Sequence, residues 1–446
     1  MALHDGTAGR MTVAPATGTP ARGGVTVAAR PARLTDPGQV TRRPPVAAPG
    51  PWRLTGRPAL YLLASLTVSL LAASAAPTPL YAIYQARWHF TPITTTLVFG
   101  VYAVAVLASL LTLGKLSDHV GRRPVLLSAL AVQAVSLLVF ATAGGVPELL
   151  IARVIQGLAT GAALGAIGAG LLDVDRVRGT FANSVAPGIG SGSGVLLSAL
   201  VVRYLPDPTH LIYLAIAGVI VLQAAGVALM RETVTPKPGA IASLRPEIRL
   251  PRTLRGPVLT AVPVLFAVWS LAGLYFALGP SLVHGLTGSG DVVLGSLSLF
   301  ILTLTAVLAI IVLRGAAGRT VMLTGILALI AGVSVTMLAL GIASTPLFFV
   351  GSAISGVGFG AGFQGSIRIV VPQAAAHERA GVLSLLYIAS YLGLGVPAVA
   401  AGFLIVHGLG LTDTALYYGG AVILLAGVAL PGLLRARPAA AGRPAG

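Results

Sequence analysis

The stretch "LGKLSDHVGRRP" (Leu113–Pro124) sets Lys115, Asp118, Arg122, Arg123 and a histidine between two long apolar runs. Only 9% of the chain is charged, so this concentration asks for a reason. A run of about 18 apolar residues covers the ~30 Å of hydrocarbon in a bilayer, so each flanking run reads as a membrane span. The quoted stretch is then a tight reversal at the membrane surface. Gly114 permits close helix contact, Gly121 can take the backbone angles of a sharp turn, and Pro124 is tolerated in a first helical turn. Asp118 is placed to offset Arg122 or Arg123, or to face the positive end of a neighbouring helix. A loop that only fixed orientation would need the arginines but not an aspartate between two glycines.

Apolar runs of this kind recur along nearly all of the 446 residues, of which 56% are hydrophobic, with a mean hydropathy of +0.91. The expected spans are 58–84, 93–113, 124–143, 147–172, 180–203 and 210–231, then 257–283, 292–313, 320–341, 345–367, 381–407 and 412–434. That pattern predicts an all-α integral membrane protein. Its domains are a basic tail over 1–57, a six-helix bundle over 58–231, a linker over 232–256, a second bundle over 257–434 and a tail over 435–446. The tail at 1–57 is rich in Gly, Ala, Pro and Arg and is expected to be disordered. It lacks the apolar core of a signal peptide. The two halves echo each other. "IQGLATGA" (155–162) parallels "ISGVGFGA" (354–361), "RGTFANS" (178–184) parallels "RAGVLSL" (379–385), and "VGRRPVLL" (120–127) parallels "AGRTVMLT" (317–324). Nearly constant offsets point to a duplication, and repeated six-helix halves with a site at their interface are a transporter architecture.

The net charge of +17 would suit nucleic acid if the bases formed one patch. Instead, every Lys and Arg except Arg87, Arg203 and Arg153 falls in the tails or in alternate loops. That is the positive-inside pattern, and it predicts both termini in the cytoplasm and no nucleic-acid partner. The chain has no cysteine, and its seven histidines are scattered, so neither a thiolate site nor any other metal centre is expected. No nucleophile–base–acid set lies within the spans, and no G-x-x-x-x-G-K-S/T loop is present, which argues against an enzyme or an ATP-driven pump.

The opening stretch resembles the signature loop of the major facilitator superfamily, G-x-L-x-D-x-x-G-R-R/K, through Gly114, Leu116, Asp118, Gly121, Arg122 and Arg123. The resemblance implies a conformational latch that packs against span 11 during alternating access. "LLIARVIQGLATGAA" resembles the family's span-4 pattern L-x-x-x-R-x-x-Q-G through Leu149, Arg153, Gln156 and Gly157. In proton-driven members this arginine is associated with coupling, which implies that role for Arg153. An ionisable group inside a span costs ~2.5–3.5 kcal/mol to insert, so Arg153 is a functional candidate; the alternative is that it snorkels from the outer end. "NSVAPGIGSGSGVLLSA" (183–199) is similar in a degenerate way to the exporters' span-5 signature. It has Pro187-Gly188 in place of Gly-Pro, and Gly190, Gly192 and Gly194 follow as small packing residues.

In this fold, spans 1, 4, 7 and 10 line the central cavity. Its expected substrate-facing residues are Tyr81, Tyr84, Trp269, Tyr275, Phe276, Gln364, Tyr387 and Tyr391, aromatic for the most part and suited to flat or apolar organic molecules. Tyr and Trp also mark bilayer interfaces. Pro77 and Pro79 should break span 1 near its outer end and free backbone groups there. All twelve Asp and Glu residues fall in tails, loops or span ends. Glu148 is therefore the first acidic candidate for proton coupling beside Arg153, followed by Asp291 or His89, and a neutral or anionic substrate is expected. The resemblance implies a multi-pass secondary transporter of a bacterial plasma membrane, acting as a monomer without a cofactor. The expected activity is proton-coupled efflux of drug-like or metabolite compounds, energised by the proton gradient. An importer or uniporter is the nearest alternative, and a transport-inactive sensor or scaffold is the alternative of another class.

Overall fold

Each apolar run between the polar breaks becomes one long helix. The computed structural model describes residues 53–375 and 377–435, so the expected tails fall largely outside the described residues. Twelve helices among the described residues are long and apolar enough to cross a membrane. They are α1 (Arg57–Trp88), α2 (Pro92–Leu113), α3 (Arg122–Ala141), α4 (Val146–Val174), α5 (Arg176–Tyr204) and α6 (Pro208–Leu229). The second half supplies α7 (Arg252–Thr287), α8 (Val292–Gly315), α9 (Gly318–Gly341), α10 (Thr345–Gln373), α11 (Arg379–Leu409) and α12 (Leu411–Leu434). Short polar side chains fix several starts. Asp175 accepts from the backbone N–H groups of Val177 and Arg178 at 3.0 and 2.9 Å, and Asp291 caps α8 through Val293 and Leu294 at 2.8 and 3.3 Å. Helix α1 is interrupted at Ala76, directly before Pro77.

The helix pairings repeat between the halves. In the first bundle α2 packs on α4, α3 on α4 and α6, and α1 on α5. In the second, α8 packs on α10, α9 on α10 and α12, and α7 on α11. The two bundles meet through α5 against α8 and α2 against α11, a pair of contacts that the same repeat exchanges. With six crossings in each half, the start of α1, the 232–251 segment and the end of α12 share one side. That side is the linker end, and the opposite side is the far end.

Small residues set the approach of these helices, as expected where hydrocarbon gives no hydrophobic drive. On α5 the alternating glycines serve two different neighbours. A Cβ on Gly188 or Gly192 would lie 2.5 Å from Val307 Cγ2 or Thr303 Oγ1 of α8, in the other bundle. A Cβ on Gly190 would lie 2.5 Å from the Val68 carbonyl oxygen of α1, and one on Gly194 would run into the Ala72 backbone. Pro187 sits inside the helix just before this tract. On α4, Gly157 seats against Ala105 and the Tyr102 carbonyl of α2.

Two expected boundaries shift. Leu54, placed in the tail by sequence, donates its N–H to Leu229 O at 2.9 Å, and its carbonyl accepts from Arg231 N at 3.2 Å. The end of α6 leaves those groups free to pair, so the chain is tied down before α1 begins. The linker carries a helical turn at Ala240–Ser243 and is pinned to the first bundle where Lys237 N donates to His119 O at 2.8 Å.

Candidate functional site

Arg153 is fully buried in the first bundle and does not snorkel. The reason lies in the break of α1. Pro77 has no N–H to give to the carbonyl four residues earlier, Ala73 O, and the interrupted turn also frees Ser74 O. Gln156 Nε2 donates to Ala73 O at 3.1 Å, and Arg153 Nη1 donates to Ser74 O at 2.8 Å. Arg153 also donates to Gln156 Oε1 at 2.7 Å and to the Tyr81 hydroxyl at 2.6 Å. Its guanidinium carbon lies 5.2–5.9 Å from the ring centroids of Tyr102, Phe140 and Tyr81, within cation–π range. These partners are all neutral. Carbonyl oxygens, an amide, a phenol and ring faces hold the charge in place of a carboxylate.

Glu148 does not join this cluster. Five residues before Arg153 it lies about 140° around the helix, and its side chain is exposed. His89 is likewise exposed, at a left-handed turn with φ 53°, and Asp291 is occupied at the far end by its cap and by Arg203, 3.4 Å away. Tyr84, expected in the cavity, instead donates to Tyr213 at 3.2 Å inside the first bundle and stacks on Trp88. Tyr81 is taken up by Arg153. Tyr275 is buried in the second bundle, 2.9 Å from Ser352 Oγ and stacked on Phe348. These three aromatics therefore belong to bundle interiors, because each hydroxyl found a polar partner within its own half. Ser352 stands 199 positions after Arg153, so the second half keeps the tyrosine contact and replaces the charge with a hydroxyl.

The signature loop is held by acids from beyond it. Arg122 is buried; its Nη1 pairs with Asp118 and donates to Ser117 Oγ at 2.7 Å, and its Nε lies 3.2 Å from Asp173 at the end of α4. Glu232, at the start of the linker, accepts from the backbone N–H groups of Arg122 and Arg123 at 2.8 and 2.9 Å and so caps α3. A carboxylate suits the positive end of that helix. Gly121 has φ 106°, and a Cβ there would lie 2.7 Å from Glu232 Oε2, so glycine is required for the turn and for the cap. Lys115 pairs with Glu247 of the linker, and this contact holds the Glu247 carboxyl below its ordinary value; slight burial opposes the shift and Arg249 adds to it. Linker residue Arg249 in turn lies against Gly381 of α11, where a Cβ would be 3.0 Å from its nitrogen. The linker thus touches both the loop and span 11, the two elements that the family resemblance implies pack on each other.

On the second bundle, Trp269, Phe359, Phe363 and Tyr391 form one aromatic group at the middle of α7, α10 and α11. The ring centroids of Phe359, Phe363 and Tyr391 lie 5.6–5.8 Å from Trp269. All four side chains are half-buried, as are Gln364 and Tyr387. Trp269 Nε1 is buried without an acceptor among the described residues, which costs roughly 1–3 kcal/mol for a lone donor. Two turns towards the far end, Phe276 stacks on Phe99 of α2 at 5.7 Å and closes the bundles together. Gln364 Nε2 reaches towards Ser184 of α5 at 3.5 Å. Sequence reading did not find Tyr102, Phe140, Tyr213, Asp173 or Glu232. Of these, only Glu232 had a signal, as an acid directly after a span and facing a basic loop.

The family model described as Major Facilitator Superfamily matches residues 60–319. Among solved structures, the fold is similar to a point mutant of the nucleoside transporter NupG, with TM-score 0.65 and 14% identity, covering 84% of this chain and 99% of that one. It is similar to NupG itself at TM-score 0.61 and 17% identity, covering 85% and 100%. It is also similar to the human organic anion transporter MFSD10 (TETRAN) at TM-score 0.59 and 18% identity, covering 84% and 99%. With a family match over more than half of its length on a duplicated twelve-helix fold, this chain belongs to the major facilitator superfamily, and it is a transporter rather than an enzyme.

Proposed function

We propose that the protein carries small organic molecules across the plasma membrane by alternating access, as a monomer with both termini in the cytoplasm, and exports them in exchange for protons. The observation that carries the transport reading is the placement of the half-buried aromatic group. It lies at mid-helix, on the face of the second bundle that meets the first, below a closure made by Phe99 and Phe276. A site near the bilayer midplane between two repeated halves is what rocking of one half against the other would expose in turn. The orientation follows the basic residues of the linker-end loops. Arg153, with Gln156 and Tyr81, is the coupling element of the exchange reading. A second reading, uniport or import without proton exchange, has one observation in its favour: the described partners of Arg153 are neutral, and Glu148 points away.

The test is flux in proteoliposomes over a panel of drugs, dyes and metabolites, with and without an imposed pH gradient. Flux that follows the gradient and stops with a protonophore supports exchange. Flux that ignores the gradient replaces exchange with uniport. Absence of flux for every compound favours the sensor or scaffold reading.

A further inference from the structure

Trp269 and Phe276 are seven residues apart on α7, so they share one face, and Trp269 lies about 10 Å nearer the linker end than the Phe99–Phe276 closure. Tyr391 stands one turn before Gly395, which abuts Ala103 of α2, so it too lies just under a cross-bundle contact. The indole N–H of Trp269 is buried and has no acceptor among the described residues, although the Tyr391 ring and the Gln364 amide are half-buried on the same bundle. Neither acid nor base interrupts α7 between Arg255 and His284, α10 between Thr345 and Arg368, or α11 between Arg379 and His407. On the opposite half the charge expected within a span, Arg153, is enclosed in the first bundle, where both its terminal nitrogens are hydrogen-bonded and its Nε is buried without an acceptor among the described residues.

We propose that Trp269 is the specificity-determining donor of a substrate subsite built on the second bundle, and that this subsite takes an uncharged, planar heteroaromatic molecule. Its ring would lie among Trp269, Phe359, Phe363 and Tyr391, and a ring nitrogen or oxygen would accept from Trp269 Nε1. Stacking supplies the ring preference, because aromatic pairs favour offset and edge-on arrangements. The unmet donor supplies the choice among rings, since a molecule without an acceptor leaves it unmet. A formal charge on the molecule is disfavoured, as the middles of α7, α10 and α11 hold no acid or base to offset its desolvation and Arg153 is enclosed in the first bundle. The proposal rests on the transport reading for what the bound molecule is for, but its binding step can be measured without flux.

The purified full chain is titrated by thermal shift with three probes: quinoxaline, which is flat, neutral and rich in acceptors; naphthalene, its isostere without an acceptor; and the cation N-methylquinolinium. Trp269→Phe keeps a ring and deletes the N–H. The expected result is an apparent Kd for quinoxaline that rises roughly tenfold in Trp269→Phe, while that of naphthalene stays the same. N-methylquinolinium should bind at least about tenfold more weakly than quinoxaline to both proteins. A second measurement guards against a misfolded variant. In Trp52→Phe/Trp88→Phe, Trp269 is the remaining tryptophan of the three, and its emission must shift when quinoxaline is added. Stabilisation by quinoxaline without that shift, an equal affinity in Trp269→Phe, or tight binding of the cation would each overturn the subsite. Binding with no flux of any compound would sink the transport reading and leave the subsite standing, whereas flux indifferent to Trp269 would do the reverse.

Discussion

Gly402 of α11 offers a way to force the far end open. A methyl group added there would meet Thr96 of α2, with Cγ2 at 2.9 Å and Cβ at 3.1 Å and Oγ1 nearer still. Thr96 cannot turn aside freely, because its hydroxyl donates to Ile93 O at 2.9 Å and the residue is fully buried. Relief therefore requires α2 and α11 to separate, and such overpacking costs ~1–3 kcal/mol. If the contact exists in one conformer only, that cost moves the equilibrium about 5- to 150-fold towards the far-end-open form. The chain has no native cysteine, so Ala272→Cys, just below the closure, gives a single reporter. Its reaction with a membrane-impermeant maleimide added on the far side should quicken severalfold in Gly402→Ala. The rate should return to the original in Gly402→Ala/Thr96→Ala, where the obstruction is gone. Gly194→Ala is the control: its methyl strikes the Ala72 backbone within the first bundle, so it should lower the thermal midpoint without speeding the reaction. An unchanged rate in Gly402→Ala, accompanied by a lower midpoint, would refute the reasoning and make the contact permanent packing.

Glu232→Ala should cost ~0.5–2 kcal/mol, as two N–H groups at the start of α3 lose their cap, and a thermal midpoint comparison with Glu232→Gln checks it. Gln156→Leu should leave Ala73 O and one Arg153 N–H unmet at ~1–3 kcal/mol each and reduce flux at least about tenfold, whereas Glu148→Gln should leave flux within about twofold. Equal flux in these two variants would remove Arg153 and its partners from the mechanism. The Lys115–Glu247 contact should contribute fully above the ordinary carboxyl value of 4.5 and fade as pH falls through the lowered value in the folded protein. Glu247→Gln should therefore remove part of the acid-side loss of thermal stability between pH 6 and pH 3.5, measured as the difference between the two melting profiles.

The twelve helices were legible because a span needs only length and hydropathy, and the pairing of halves was legible from three matched segments. The break at Pro77 and Pro79 was legible too, since a missing N–H is a local fact. What answers the break was not. Gln156 and Arg153 reach Ala73 and Ser74 from more than 75 positions away, and nothing in the sequence fixes how α4 is rotated towards α1. Rotation also separates the expected cavity aromatics. Tyr275 and Phe276 are neighbours in sequence, 100° apart on the helix, and one enters the bundle core while the other meets Phe99. Composition could nominate both but not choose between them. Glu232 and Glu247 were not legible because nothing in the linker sequence fixes its path back to the loop, although its acids complete the charge set of Leu113–Pro124.

The two halves share a fold but divide its chemistry. Where the first bundle buries Arg153 against Tyr81, the second has Ser352 against Tyr275, so the charge has a counterpart in position and none in kind. Where the second bundle turns Trp269 and its rings towards the interface, the first directs its aromatic partners of Arg153 inward. An engaged guanidinium is a poor grip for a molecule that must arrive and leave, because every contact it gave up would have to be replaced in the same low-dielectric site. It is well suited to hold the kinked half of α1 in place while the bundles move. A face of rings with one free donor has the opposite character: weak enough to release a ligand, and selective through a single hydrogen bond. On the proposed reading the duplicated fold would assign rigidity to the first half and recognition to the second, and Trp269→Phe against Gln156→Leu tests that division, one expected to alter affinity among probes and the other the rate of cycling.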